Sequence, residues 1–106
     1  MMETFRVEAV IDGNTFEVSP PWEFDGETGK LVQATGYDAP KSGKGAVAAE
    51  QKLSILMQNK NVELESPQGI EGGRLLCKVY FQGMNLADYF TAYKEHEDEP
   101  VEDLEE

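Results

Sequence analysis

Two hydrophobic periods run along this chain, and the change from one to the other divides it. Phe5-Arg6-Val7-Glu8-Ala9-Val10-Ile11 alternates over its first part and is rich in β-branched and aromatic residues, which predicts a strand with one buried face. Asp12-Gly13 is a turn signal, and Thr15 to Val18 reads as the returning strand. Pro20-Pro21 should interrupt pairing at or near a sheet edge, because proline brings no N–H to a ladder. Trp22 to Phe24 resumes the strand, Asp25 to Gly29 turns again, and Lys30 to Tyr37 reads as a third strand. Between Ser42 and Asn59 the period lengthens. Ala46, Ala49, Leu53 and Leu56 fall three, four and three apart, with Ile55 and Met57 widening the stripe, so one amphipathic helix is predicted. Asn61 to Glu65 is a short alternating strand, Ser66 to Gly73 a glycine-bearing loop, and Arg74 to Phe81 a strong strand. Gln82-Gly83 turns the chain, and Asn85 is placed to cap a short helix carrying Leu86, Tyr89 and Phe90.

Three strands, a helix, two strands and a terminal helix predict a mainly β domain with some α. The order suits a five-stranded Greek-key barrel of the OB type, with its helix between strands three and four and a short C-terminal helix. On pattern alone other α+β folds stay open.

Composition narrows the picture. A chain of 106 residues with a 40% hydrophobic fraction makes one small domain with one core. The net charge of −12 is uneven: residues 94–106 hold eight acidic residues against Lys94, leaving −5 on residues 1–93. The expected division is therefore a folded domain over 1–93 and an acidic, solvated and disordered tail over 94–106. A mildly acidic body opposes non-specific attraction to a polyanion, so any nucleic-acid contact must rest on a local basic patch. Cys77 is the one cysteine, set in the apolar run Leu75 to Phe81, and reads as a small core residue; no intramolecular disulfide or multi-thiolate metal site can form. With no signal-peptide pattern and no apolar run of spanning length, the expectation is a cytoplasmic protein with no membrane partner.

Three short segments carry the candidate chemistry. They are Val10-Ile11-Asp12-Gly13-Asn14-Thr15, Gln33 to Lys41 with its Gly36-Tyr37-Asp38-Ala39-Pro40, and Gly73-Arg74. In order and approximate spacing they resemble the active-site motifs of staphylococcal-nuclease-like (thermonuclease) domains, and the resemblance spans roughly residues 5–93. Asp12-Gly13-Asn14-Thr15 is similar to the family's Asp-Gly-Asp-Thr hairpin, Gln33 to Lys41 to its Arg-x-x-Gly-x-Asp-Ala-Pro-Glu segment, and Gly73-Arg74 to its Tyr-Gly-Arg.

The resemblance implies an OB barrel and calcium-dependent cleavage of phosphodiester bonds in DNA or RNA. Two aspartates would hold the metal, a glutamate would activate or position water, and two arginines would grip the phosphate. Each role has a physical basis: calcium wants a cage of charged oxygens, a water nucleophile needs a base or a metal, and charge developing on phosphoryl oxygens needs fixed cations. Carried over residue by residue, Asp38 keeps the second metal aspartate and Arg74 the second arginine. Asn14 stands for the first aspartate without its charge, Gln33 for the first arginine without its charge, and Lys41 for the glutamate with the opposite sign. Asp12 could join Asp38 on a weakly held Ca2+. The implied catalytic positions are thus Arg74, Lys41 and Gln33, and the implied metal positions Asp38, Asn14 and Asp12, as a vestigial site.

Plainer readings stand beside these. Asp12-Gly13 is more often only a hairpin turn, Arg74 serves equally as a structural arginine, and Asp38 before Ala39-Pro40 suits an Asx-type turn. Gly43-Lys44-Gly45 lacks the phosphate-loop frame. His96 lies among carboxylates, where a solvated side chain is the ordinary outcome. Trp22 and Phe24 are either an exposed aromatic platform or, more commonly for aromatics, buried. The expected function is a catalytically degenerate nuclease-like module that binds nucleic acid or protein. The alternative is a residual Ca2+-dependent phosphodiesterase acting on DNA or RNA. The sequence gives no oligomeric state.

Overall fold

Alternation becomes strands wherever one face can be buried, and here five such strands close on themselves. In the computed structural model, which describes residues 3–93, the chain runs β1 (Glu3–Asp12), β2 (Thr15–Phe24), β3 (Glu27–Ala34), α1 (Gly43–Met57), β4 (Asn61–Glu71), β5 (Arg74–Phe81) and a two-residue β6 (Met84–Asn85). Two short 3₁₀ turns follow, Leu86–Tyr89 and Thr91–Tyr93.

β1 pairs antiparallel with both β2 and β4, β2 with β3, and β4 with β5. A parallel pairing of β3 with β5, from Leu31↔Arg74 to Ala34↔Cys77, completes the circuit. The result is a mainly β fold with one α-helix and a closed, OB-like five-stranded barrel. Inward positions of each strand fill it: Phe5 and Val7, Phe16 and Val18, Val32 and Ala34, Val62, then Leu75, Cys77, Val79 and Phe81.

Three hairpins turn on pairs of residues with positive φ, namely Asp25-Gly26, Gly72-Gly73 and Gln82-Gly83. This is the type I′ requirement that matches strand twist, and glycine meets it without cost at the second position. Pro20-Pro21 lie in β2 where pairing to β3 lapses between Glu17 and Trp22, as the missing donors demand. Trp22 is buried, lies against Gly29, and donates its indole N–H to the Leu31 carbonyl at 2.7 Å. It is a core residue, not an exposed platform.

α1 packs against β1 and buries Ala49, Leu53 and Met57. Its C-terminal end is tied down by the Asn59 N–H on the Val7 carbonyl and the Val7 N–H on the Lys60 carbonyl, both 2.9 Å. The face is narrower than the stripe predicted: Leu56 is half-buried and Ile55 is 83% exposed.

Four expectations need correcting. Ser66–Glu71 is not loop but the second half of β4, rejoining β5 at Gly69↔Leu76 after a break from Glu65. Ser66, at φ 55, makes the break, so polarity and a glycine disguised a bent strand. The third strand begins at Glu27, inside the expected Asp25–Gly29 turn, and ends at Ala34 rather than Tyr37. The helix ends at Met57, not Asn59, whose positive φ takes it out of the helix. The C-terminal helix is two 3₁₀ turns; Asn85 caps the first as expected, its side chain accepting from the Ala87 N–H at 2.9 Å. The disordered-tail expectation for 94–106 and the placement of His96 lie outside the described residues.

Candidate functional site

The β1–β2 hairpin begins from a local preference. Asp12 at the end of β1 accepts the Asn14 backbone N–H on Oδ1 at 3.0 Å, the short-side-chain turn that Asp-Gly sequences favour. The hairpin is then held from outside. The Tyr37 hydroxyl, buried, donates to the Gly13 carbonyl at 2.8 Å. Gly13 itself lies so close beneath two elements that an added Cβ would fall 2.5 Å from the Ala39 Cβ and 2.6 Å from the Ala49 Cβ. Its glycine is demanded by space. These contacts fix the hairpin against both α1 and the segment that carries Tyr37 to Lys41.

That arrangement delivers Lys41 onto the turn. Its Nζ donates to Asn14 Oδ1 at 2.5 Å and lies 3.3 Å from Asp12 Oδ1. The Thr15 hydroxyl donates to the same Asn14 oxygen at 3.4 Å. Asn14 and Thr15 are each 1% exposed, so this polar cluster is sealed on the Asn14 side and reaches solvent through the partly exposed Asp12 and Lys41 side chains. Partial burial works to raise the Asp12 pKa, but the Asn14 N–H, the Thr15 hydroxyl and the Lys41 ammonium outweigh it and hold the carboxyl below its usual range. Burial, with the nearby Asp12 carboxylate adding to it, drives the Tyr37 phenol well above its usual value, so that Tyr37 stays a neutral donor.

Strand register places the remaining candidates on one face. Asp12 pairs with Thr15, Thr15 with Gln33, and Gln33 with Leu76, which makes one row across β1, β2, β3 and β5. The next row runs Glu17, Leu31, Arg74 and Glu71. Gln33 and Arg74 are therefore diagonal neighbours on adjacent strands, both half-buried. Arg74 donates from Nε to the Glu71 carbonyl at 3.4 Å, and its row carries two carboxylates. Asp38 is exposed, and its backbone N–H bonds the Tyr93 carbonyl at 3.0 Å. Among the described residues, no side-chain hydrogen bond or ion pair joins Asp38 to the cluster.

The donor set does not fit calcium. That ion takes about six to eight oxygens at close range and is held by carboxylate charge. Here the Asp12 and Asn14 oxygens already face a tethered ammonium, which would have to be expelled before a divalent cation could approach. Among the described residues no group of three or more His, Cys, Asp or Glu is placed to hold a metal.

Sequence reasoning missed Tyr37 and Thr15 as members of this site. Tyr37 carried one usable signal, since a tyrosine held in a core must find a partner for its hydroxyl. No family model matches this chain, and no curated protein matches it significantly.

Proposed function

We propose that this chain is a staphylococcal-nuclease-like OB barrel whose site serves binding instead of hydrolysis. One observation carries the reading: the Lys41 ammonium sits on Asn14 Oδ1 and beside Asp12 Oδ1, where the resemblance would put a metal and a general base. An ammonium cannot accept a proton from water. Losing the base alone costs on the order of 10²–10⁴-fold in rate. Gln33 compounds the loss, because an amide cannot neutralise a phosphoryl oxygen.

A protein partner fits better than nucleic acid. A polyanion reaching Arg74 meets Glu71 and Glu17 on the same row, and residues 1–93 carry −5 overall. The test is incubation with single-stranded DNA and RNA, with Ca2+ and with chelator, beside the triple variant Asn14→Asp, Gln33→Arg, Lys41→Glu. The unmodified chain should cleave neither, and the triple variant should gain Ca2+-dependent cleavage that single reversions lack, since such groups act as a unit. Metal-dependent cleavage by the unmodified chain, abolished by Asp38→Ala and Arg74→Ala, would establish the phosphodiesterase reading instead.

A further inference from the structure

The outward face of α1 is unlike the rest of this surface in two respects. It is apolar: Val47 is 53% and Ile55 83% exposed, and with Ala48 and Gln51 they fall at one-turn and two-turn spacing. Two shallow depressions run along it, sharing Ala48 and Gln51, one reaching Lys44 and the other Lys52. It also carries a net positive charge: α1 holds Lys44 and Lys52 against Glu50 alone, on a body whose net charge is −5. Neither Lys44 nor Lys52 has an ion-pair partner among the described residues.

We propose that this face is the docking site for the chain's own residues 94–106, Lys94-Glu95-His96-Glu97-Asp98-Glu99-Pro100-Val101-Glu102-Asp103-Leu104-Glu105-Glu106. Three observations select that occupant. The charges are complementary: eight carboxylates in the segment face a helix whose lysines outnumber its acids. The segment's two aliphatic residues, Val101 and Leu104, give the exposed Val47 and Ile55 something to bury against. The point of departure is right as well. Lys52 Nζ lies 4.7 Å from the centre of the Phe90 ring, and the Tyr93 ring lies tilted beside Phe90 with centres 6.4 Å apart, while the Tyr93 carbonyl holds the Asp38 N–H. The chain thus leaves the described region beside α1. At ~3.3 Å per residue, residues 94–106 reach roughly 43 Å, twice the roughly 22 Å length of a fifteen-residue helix. A composition too charged to build a core of its own is suited to a salt-sensitive contact of this kind.

A nitroxide label at Glu106→Cys on the full chain tests this, read as amide-signal broadening. Cys77 will not compete for the label, being fully buried with its thiol pushed up to about 12. At low ionic strength, broadening should concentrate on the outward amides between Lys44 and Leu56. It should vanish near ~1 M salt, where the Debye length falls to about 3 Å, and in Lys44→Glu/Lys52→Glu and Ile55→Asp variants. Absence of broadening at low salt, broadening centred on the barrel, or persistence in the charge-reversed variant would each overturn the proposal. Broadening that appears only between labelled and unlabelled copies would overturn it too, by assigning the face to another molecule's acidic segment. None of these readouts depends on the Asp12–Lys41 site.

Discussion

Gly13→Ala is the sharpest structural test available, because a single methyl would collide with two elements at once. Its Cβ would lie 2.5 Å from the Ala39 Cβ and 2.6 Å from the Ala49 Cβ, against an ordinary carbon–carbon contact of about 3.5–4.0 Å. Neither neighbour can swing away, since a methyl has no rotamer and Ala49 sits in the buried face of α1. Relief requires about 1 Å of movement by the helix or by the hairpin. Such movement would strain the Tyr37–Gly13 bond and the Lys41 contacts on Asn14. Overpacking of this type costs about 1–3 kcal/mol. For a domain of this size a cost of 2 kcal/mol corresponds to a drop of roughly 8–16 °C in Tm. Gly69→Ala is the control, since its added Cβ meets nothing within 4 Å, and it should stay within about 0.5 kcal/mol of the parent. Urea unfolding of both variants gives the two numbers. Should Gly13→Ala match Gly69→Ala, the close approach of α1 to the hairpin would be refuted, and the delivery of Lys41 onto Asn14 would lose its cause.

Leu53→Ala removes a fully buried side chain from the α1–barrel contact and should cost about 2–5 kcal/mol by chemical denaturation. Stability should fall on the alkaline side. Cys77 and Tyr37 both keep their protons longer folded than unfolded, so the unfolded chain releases them first, from pH near 9.0 for the thiol and near 10.0 for the phenol. Each group then contributes a decline of about 1.4 kcal/mol per pH unit, and Cys77→Ala should move the onset up to the phenol. On the acid side the Asp12 carboxyl, depressed when folded, contributes stability that is present above its ordinary value of 3.8 and lost as the pH falls below it. Lys41→Met should reduce that acid sensitivity, which urea melts at pH 7 and pH 3 would measure.

Much of the barrel was legible because its signals are local. Asp12-Gly13 marks its own turn, and the alternation through Arg74–Phe81 marks its own buried face. The helix was legible for the same reason, from Ala46, Ala49, Leu53 and Leu56, of which Ala49 and Leu53 are buried. What failed was whatever depends on distant partners. The second half of β4 is polar and exposed along Ser66–Gln68, and only pairing with β5 makes it a strand. Ile55 widens the predicted stripe yet stays outside, because two residues past Leu53 it lies about 200° around the helix, away from the buried positions Ala49, Leu53 and Met57. At the site, the identity of each residue was readable but the geometry was not. Nothing near Lys41 announces a bond to an asparagine 27 residues earlier, and nothing near Tyr37 announces the Gly13 carbonyl.

The parallel ladder between β3 and β5 has a kinetic consequence. It joins Leu31 to Arg74 across the whole of α1 and β4, whereas the β2–β3 and β4–β5 hairpins each close over a few residues. Loop-closure entropy must be spent before this ladder returns any free energy, so the two hairpins form early and the barrel shuts late. Until it shuts, β3 and β5 each present an unpaired edge beside Val32, Leu75 and Cys77, residues that the finished barrel hides. The interval before closure is therefore when this chain is most exposed to pairing with another copy of itself.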